Sequence, residues 1–98
     1  MKTRRLEAWR AKIDEVDEAL VQLLNTRAGI AREIGKTKLE LGAQVQDPAR
    51  EDQVLNRISA FNDGPLSDGA IRAIYRRIIA GCVEVQSSDR PKETGDEI

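Results

Sequence analysis

The sequence contains no histidine and only one cysteine, Cys82, which limits the chemistry that the chain can support. A disulfide within the chain needs two cysteines, and protein zinc sites are built largely from cysteine and histidine, so the sequence predicts neither. Aromatic residues make up 3% of the chain, so a core must come from Leu, Ile, Val and Ala. No apolar run approaches transmembrane length, and residues 1–10 lack the apolar region of a signal peptide. These absences predict a cytoplasmic protein.

Neither sign of charge dominates the chain. Sixteen basic and seventeen acidic residues give a formal net charge of −1, and the two signs are interspersed. This pattern argues against a protein that binds nucleic acid or a membrane surface. The length of 98 residues predicts a single domain.

A long amphipathic helix is predicted over residues 4–41, which contain no proline. Apolar residues recur there at alternating spacings of three and four, as they do along one face of a helix. They are Leu6, Trp9, Ile13, Val16, Leu20 and Leu23. Such a helix is about 55 Å long, and no other segment could cover it. We therefore expect it to pack against a second copy of the chain in a homodimer.

Two shorter helices are predicted after the long one. Gly42 ends the first helix, Asp47 followed by Pro48 starts the second, and Ser67 or Asp68 caps the third. A dense turn signal over residues 62–65 separates the last two. Their apolar faces are Val54, Leu55, Ile58 and Phe61, and then Ile71, Ile74, Tyr75, Ile78, Ile79, Cys82 and Val83.

The absence of any strand pattern completes an all-α prediction, with one long and two shorter helices in each chain. We expect the helical domain to span residues 1–86. Residues 87–98 are polar and include Pro91 and Gly95, which predicts a disordered tail.

Two cations interrupt the apolar stripe of the long helix. Arg27 occupies the position that follows Leu23, and Lys38 occupies the one that follows Ile34. The step of eleven residues from Arg27 to Lys38 makes about three turns plus 20°, so both point the same way. Burying an unpaired charge is costly, so these cations need anionic partners, a ligand or water.

The shorter helices also carry polar residues at positions where an apolar side chain is expected. Arg50 and Glu51 continue the apolar face of the second helix, and Gln86 lies on the buried side of the third. A small polar cavity between the helices would account for all of them. Arg10 is about 25 Å along the axis from Arg27, so it could join this cavity only from the antiparallel helix of a second copy.

Each of these residues also has a purely structural explanation. Arg27 could pair with a glutamate of a partner helix and so fix the register. Lys38 could complement the helix dipole or extend to solvent, and Arg50 and Glu51 are ordinary residues for a first helical turn. Cys82 could be a small core residue. Only the combination favours a binding site.

Several segments, in this order and at these spacings, resemble the all-helical class of chorismate mutases, type II. They are residues 9–14, Arg27, residues 35–38, residues 47–51 and residues 82–86, and the resemblance extends over residues 6–86. It implies an intertwined homodimer with two sites shared between the chains. It also implies a Claisen-type rearrangement of chorismate to prephenate, in phenylalanine and tyrosine biosynthesis, without metal or cofactor.

The resemblance implies a role for each site residue. Arg27 and Arg10 of the partner would hold the two carboxylates, while Lys38 and Gln86 would donate hydrogen bonds to the ether oxygen. Glu51 would receive the substrate hydroxyl together with the backbone at Asp47. The remaining positions are Arg50, which would line the site and order the acidic residues, and Cys82, where a serine of some relatives contacts a carboxylate.

Two alternatives stay open at this stage. An isochorismate-pyruvate lyase shares this helical fold, although the order Arg50-Glu51 favours the mutase. A non-catalytic helical dimerisation module is the other alternative. It predicts that Arg27 and Lys38 meet glutamates across the interface and that no cavity exists.

Overall fold

The computed structural model describes residues 2–88 and contains three helices. They are α1 (Lys2–Leu41), α2 (Pro48–Phe61) and α3 (Asp68–Ser88). Residues 2–88 include no strand, so the all-α prediction of one long and two shorter helices is confirmed. α1 begins two residues before its predicted start, and α3 continues two residues past the predicted domain boundary. The rest of the predicted tail, residues 89–98, lies outside the described residues.

The helix ends follow the signals in the sequence. Gly42 has a φ of +69°, the left-handed conformation that glycine adopts without steric cost, and the Ala43 amide donates back to the Lys38 carbonyl at 2.8 Å. At the start of α2, the Asp47 side chain accepts a hydrogen bond from the Arg50 amide at 3.1 Å. Ser67 caps α3 in the same way, since its Oγ accepts from the Ala70 amide at 3.1 Å.

α3 is the central element, because it packs against both α1 and α2. Val54 and Leu55 of α2 and Ile79 of α3 form a small buried cluster. Ile58, Tyr75 and Val83 pack on its margin. Ala31 of α1 and Cys82 of α3 are also buried. Only the C-terminal half of α1 therefore shares the core of its own chain.

The N-terminal half of α1 extends away from the other helices. Every residue from 2 to 26 is exposed, and within the predicted apolar stripe Trp9 is 61% exposed and Leu23 is 65% exposed. The chain measures 65 × 29 × 21 Å and has a radius of gyration of 18.2 Å. A compact domain of this length has a radius of gyration of about 13 Å. The chain thus leaves its longest apolar surface uncovered by its own residues.

Two residues assigned to the apolar faces of α2 and α3 are exposed in the described chain. Phe61 is the last residue of α2 and is 83% exposed, and Ile74 of α3 is 47% exposed. The assignment of Phe61 to the packed face is therefore wrong for the isolated chain, because the buried cluster involves the earlier turns of α2. Within residues 2–88, no helix combines the length and apolar character that a membrane crossing requires.

The cap of α3 provides a test of this fold. Ser67→Ala removes the oxygen that accepts from the Ala70 amide. We expect the variant to lose about 1 kcal/mol in free energy of unfolding, measured by urea titration. Ser67→Asp, which keeps an acceptor at the cap, should retain the stability. Equal losses in the two variants would contradict this role for the cap.

Candidate active site

A cleft of about 420 Å³ lies between the three helices and the segment that joins α1 to α2. Apolar side chains form part of its wall, and charged or amide side chains form the rest. The polar lining consists of Arg27, Lys38, Asp47, Arg50, Glu51, Arg57 and Gln86, and the other lining residues are Ile30, Ala31, Ile34, Val45, Val54, Ile79, Cys82 and Val83. An apolar wall with a few converging polar groups is the usual construction of a small-molecule site.

Seven of the eight predicted site residues line this cleft. They are Arg27, Lys38, Asp47, Arg50, Glu51, Cys82 and Gln86. Arg10 does not line it. α1 is helical from Arg10 to Arg27, so the two residues are about 25 Å apart along the axis. A single chain therefore brings together every predicted site residue except the one that was expected from a second copy.

Lys38 and Gln86 form a hydrogen-bonded pair in the cleft. The Lys38 ammonium donates to the Val45 carbonyl at 2.6 Å and to Gln86 Oε1 at 3.1 Å. An ammonium can only donate, so Gln86 must present its amide oxygen to Lys38, and its NH₂ group remains available. The third N–H of Lys38 is available as well. The pair can thus offer donors from two side chains to one acceptor in the cleft.

Arg27 is fixed at another part of the cleft. Its Nη1 donates to Cys82 Sγ at 3.0 Å, and Cys82 is only 6% exposed. The thiol packs as a small core residue, as one of the structural explanations predicts, and it also orients the guanidinium. Because this bond uses one N–H of five, the guanidinium can still bind a carboxylate with two parallel N–H groups.

The start of α2 supplies the acidic part of the cleft. Asp47 is occupied by the helix cap, and Glu51 is half-buried one turn later. The guanidinium of Arg50 donates to Gln53 Oε1 at 2.7 Å. It therefore runs along α2 and does not bond to either acidic residue in this structure, which differs from the ordering role that we expected.

Two lining features were missed by the sequence analysis. Arg57 follows Arg50 by seven residues, so two helical turns place it on the same face, and this spacing could have revealed it. The Val45 carbonyl that holds Lys38 could not have been found in this way. A backbone oxygen carries no signal in the sequence, and its position depends on the path of the segment between α1 and α2.

The cleft carries an excess of positive charge. Four of its lining residues are cationic and two are acidic, although the whole chain has a net charge of −1. Within residues 2–88, the ion pair at 3.1 Å between Lys36 and Glu33 lies on the surface, and no carboxylate of that part of the chain pairs with Arg27 or Lys38. The half-buried cations favour an anionic ligand. The presence of the cleft argues against the non-catalytic dimerisation module.

Comparisons with known proteins agree with this description. A family profile described as "Chorismate mutase type II" matches residues 9–87. The solved structure of chorismate mutase (form II) from Thermus thermophilus superposes with a TM-score of 0.85 at 31% identity, covering 89% of this chain and 99% of that one.

Curated relatives include two bifunctional chorismate mutase/prephenate dehydratases. The protein from Aquifex aeolicus is 33% identical over 83% of this chain, and the protein from Neisseria gonorrhoeae is 40% identical over 79%. The chain spans only 24% and 21% of the lengths of these two relatives. The family profile nevertheless covers most of the chain, and the solved structure matches along nearly its whole length. The chain therefore belongs to the type II chorismate mutase family.

Proposed function

We propose that this chain is a chorismate mutase, which rearranges chorismate to prephenate in phenylalanine and tyrosine biosynthesis. The observation that carries the proposal is the Lys38–Gln86 donor pair, which lies in a cleft with an excess of cations. The bifunctional relatives carry both activities in chains about four times as long, so the proposal concerns the mutase step alone. The cytoplasmic location expected from the sequence stays a prediction.

The reaction requires positioning and charge stabilisation from the protein. Chorismate is a dianion with one carboxylate on its ring and one on its enolpyruvyl side chain. The ether carbon–oxygen bond breaks while a carbon–carbon bond forms between the side-chain methylene and the ring. The ether oxygen becomes the ketone oxygen of prephenate. Holding the side chain over the ring in a chair-like conformer lowers the barrier, and donors on the ether oxygen stabilise the charge that develops there.

The cleft offers groups suited to these two tasks. Arg27, oriented by Cys82, would bind one carboxylate through its remaining N–H groups. Lys38 and Gln86 would donate to the ether oxygen, because their mutual hydrogen bond leaves donors free on both side chains. The electron pair leaving the ring is then stabilised by donors already in place, with no need to reorganise water.

The acidic end of the cleft would recognise the substrate hydroxyl. Glu51 is half-buried and has no ion-pair partner within residues 2–88, so its carboxylate can accept that hydrogen bond. The backbone at Asp47 is adjacent. A carboxylate placed to meet the hydroxyl of chorismate would favour chorismate over isochorismate, the substrate of the alternative lyase, because isochorismate carries its hydroxyl on a different ring carbon.

We further propose that the site is completed in an intertwined homodimer. The apolar stripe of α1 is exposed along residues 6–23, and monomeric proteins rarely leave such a long contiguous surface in water. An antiparallel α1 from a second copy would cover the stripe. It would also bring Arg10 to the cleft as the second carboxylate ligand, which Arg10 of the same chain cannot provide.

The activity is tested by following the absorbance of chorismate with purified protein and resolving the products by chromatography. We expect prephenate to form without added metal or cofactor. A parallel assay with isochorismate distinguishes the mutase from the alternative lyase, because a lyase would release pyruvate and salicylate. Turnover of isochorismate alone would contradict the mutase assignment, and turnover of neither substrate would make the cleft cations structural.

The donor pair is tested by Lys38→Ala and Gln86→Ala. Each variant should lose on the order of 10²-fold or more in kcat, because each removes a donor that acts on developing charge. Lys36→Ala is the matched control, since Lys36 lies on the same helix and pairs with Glu33 at the surface. Circular dichroism and sedimentation should show all three variants folded with unchanged oligomeric state. Wild-type turnover in both donor variants would refute these roles.

The shared site is tested by subunit exchange between two inactive variants, Arg10→Ala and Arg27→Ala. In a mixed dimer, one site keeps Arg27 of the first variant and Arg10 of the second, and the other site loses both. An equal mixture should therefore recover about a quarter of wild-type activity after exchange. Each variant subjected alone to the same exchange is the control. No recovery in a mixture shown to contain heterodimers would rule out the shared site.

A further inference from the structure

Gly35 marks a close approach between α1 and α3. The residue is buried, and a Cβ built on it would lie 2.9 Å from Gln86 Cα, 3.0 Å from Gln86 Cβ and 3.1 Å from the Gln86 carbonyl oxygen. Ordinary contacts of a Cβ atom fall at 3.4–4 Å. Two of these three neighbours are backbone atoms, so a rotamer change of Gln86 cannot relieve the conflict. A side chain at position 35 would require the helices to move apart or Gln86 to shift.

The contact involves Gln86 of the donor pair and lies about one helical turn from Lys38, the other member. Gly35 precedes Lys38 by three residues, so both lie on the same face of α1. Gln86, whose backbone packs on Gly35, receives the Lys38 hydrogen bond at 3.1 Å. A change in the distance between the backbones at this point would therefore shift Gln86 relative to Lys38. A helix interior disfavours glycine relative to alanine, so α1 loses stability by having glycine here.

We infer that Gly35 is a positioning residue for the reaction, a role that rests on the proposed function. It acts through Gln86: the missing side chain lets α3 approach α1 closely enough for Gln86 and Lys38 to converge on one substrate atom. A methyl group at this position would displace Gln86 by about half an ångström or more, and catalytic groups must be held within about that tolerance. Arg27 lies eight residues away on α1 and is held by Cys82, so carboxylate binding should be preserved.

Gly29 provides a matched control on the same helix. It is exposed, and a Cβ built on it would meet nothing within 4 Å. Gly29→Ala and Gly35→Ala therefore make the same chemical change and give the same gain in helix propensity, while only the second conflicts with Gln86.

The test compares the kinetics of the two alanine variants. For Gly35→Ala we expect kcat to fall on the order of 10²-fold while KM changes by less than a few fold, because a displacement of this size affects the rearrangement more than carboxylate binding. Gly29→Ala should keep wild-type values of both. Wild-type kcat in Gly35→Ala would overturn the inference. So would failure of that variant to fold, because Gly35 would then serve the packing of α1 on α3 as a whole.

A double-mutant cycle separates positioning from general damage. If Gly35 acts through Gln86, adding Gly35→Ala to Gln86→Ala should lower kcat by less than twofold further. A further fall in kcat as large as that caused by Gly35→Ala alone would mean that Gly35 does not act through Gln86, and would overturn the inference.

A structural measurement keeps the inference independent of the proposed reaction. Crystal structures of the wild type and of Gly35→Ala should show the distance between Lys38 Nζ and Gln86 Oε1 lengthening from 3.1 Å beyond hydrogen-bond range. If the wild type fails to convert chorismate, the proposed function is wrong, and this distance alone decides the positional role. An unchanged distance would overturn that role whatever the activity.

Discussion

Two half-buried cations, Arg27 and Lys38, impose the main constraint on this molecule. Each is held by neutral acceptors: a thiol for Arg27, and a backbone carbonyl and an amide oxygen for Lys38. These bonds fix the direction of the charges without neutralising them. Partly desolvated cations of this kind lower the stability of the fold unless an anion binds beside them. They therefore attract a dianion strongly. We therefore propose that the cleft binds an anionic ligand.

The two halves of α1 differ in their surroundings. The C-terminal half packs on α3 and carries both cations together with Gly35, so a close helix contact and the candidate site share the same few turns. The N-terminal half has an exposed apolar stripe and carries Arg10. In our account a second copy covers that stripe, and the same contact supplies the last cation to the cleft. Folding, assembly and substrate binding would then depend on one helix.

Much of this arrangement is predictable from the sequence because helical periodicity is local. The caps at Asp47 and Ser67, the helix boundaries and the shared direction of Arg27 and Lys38 all follow from residue types at fixed spacings. The Val45 carbonyl and the approach of Gly35 to Gln86 do not, because both depend on how separate helices meet. The exposure of Phe61 has the same origin. Periodicity identifies an apolar face but does not say whether another element reaches it.

The most direct test of the central claim is a crystal structure of the protein bound to a stable bicyclic dicarboxylate that mimics the chair-like transition state. We predict that one carboxylate contacts Arg27 and the other contacts Arg10 of a second copy. Lys38 Nζ and Gln86 Nε2 should both lie within about 3.2 Å of the ether oxygen of the ligand. Binding of the dicarboxylate elsewhere, or in this cleft without Arg10 of a second copy, would contradict the account.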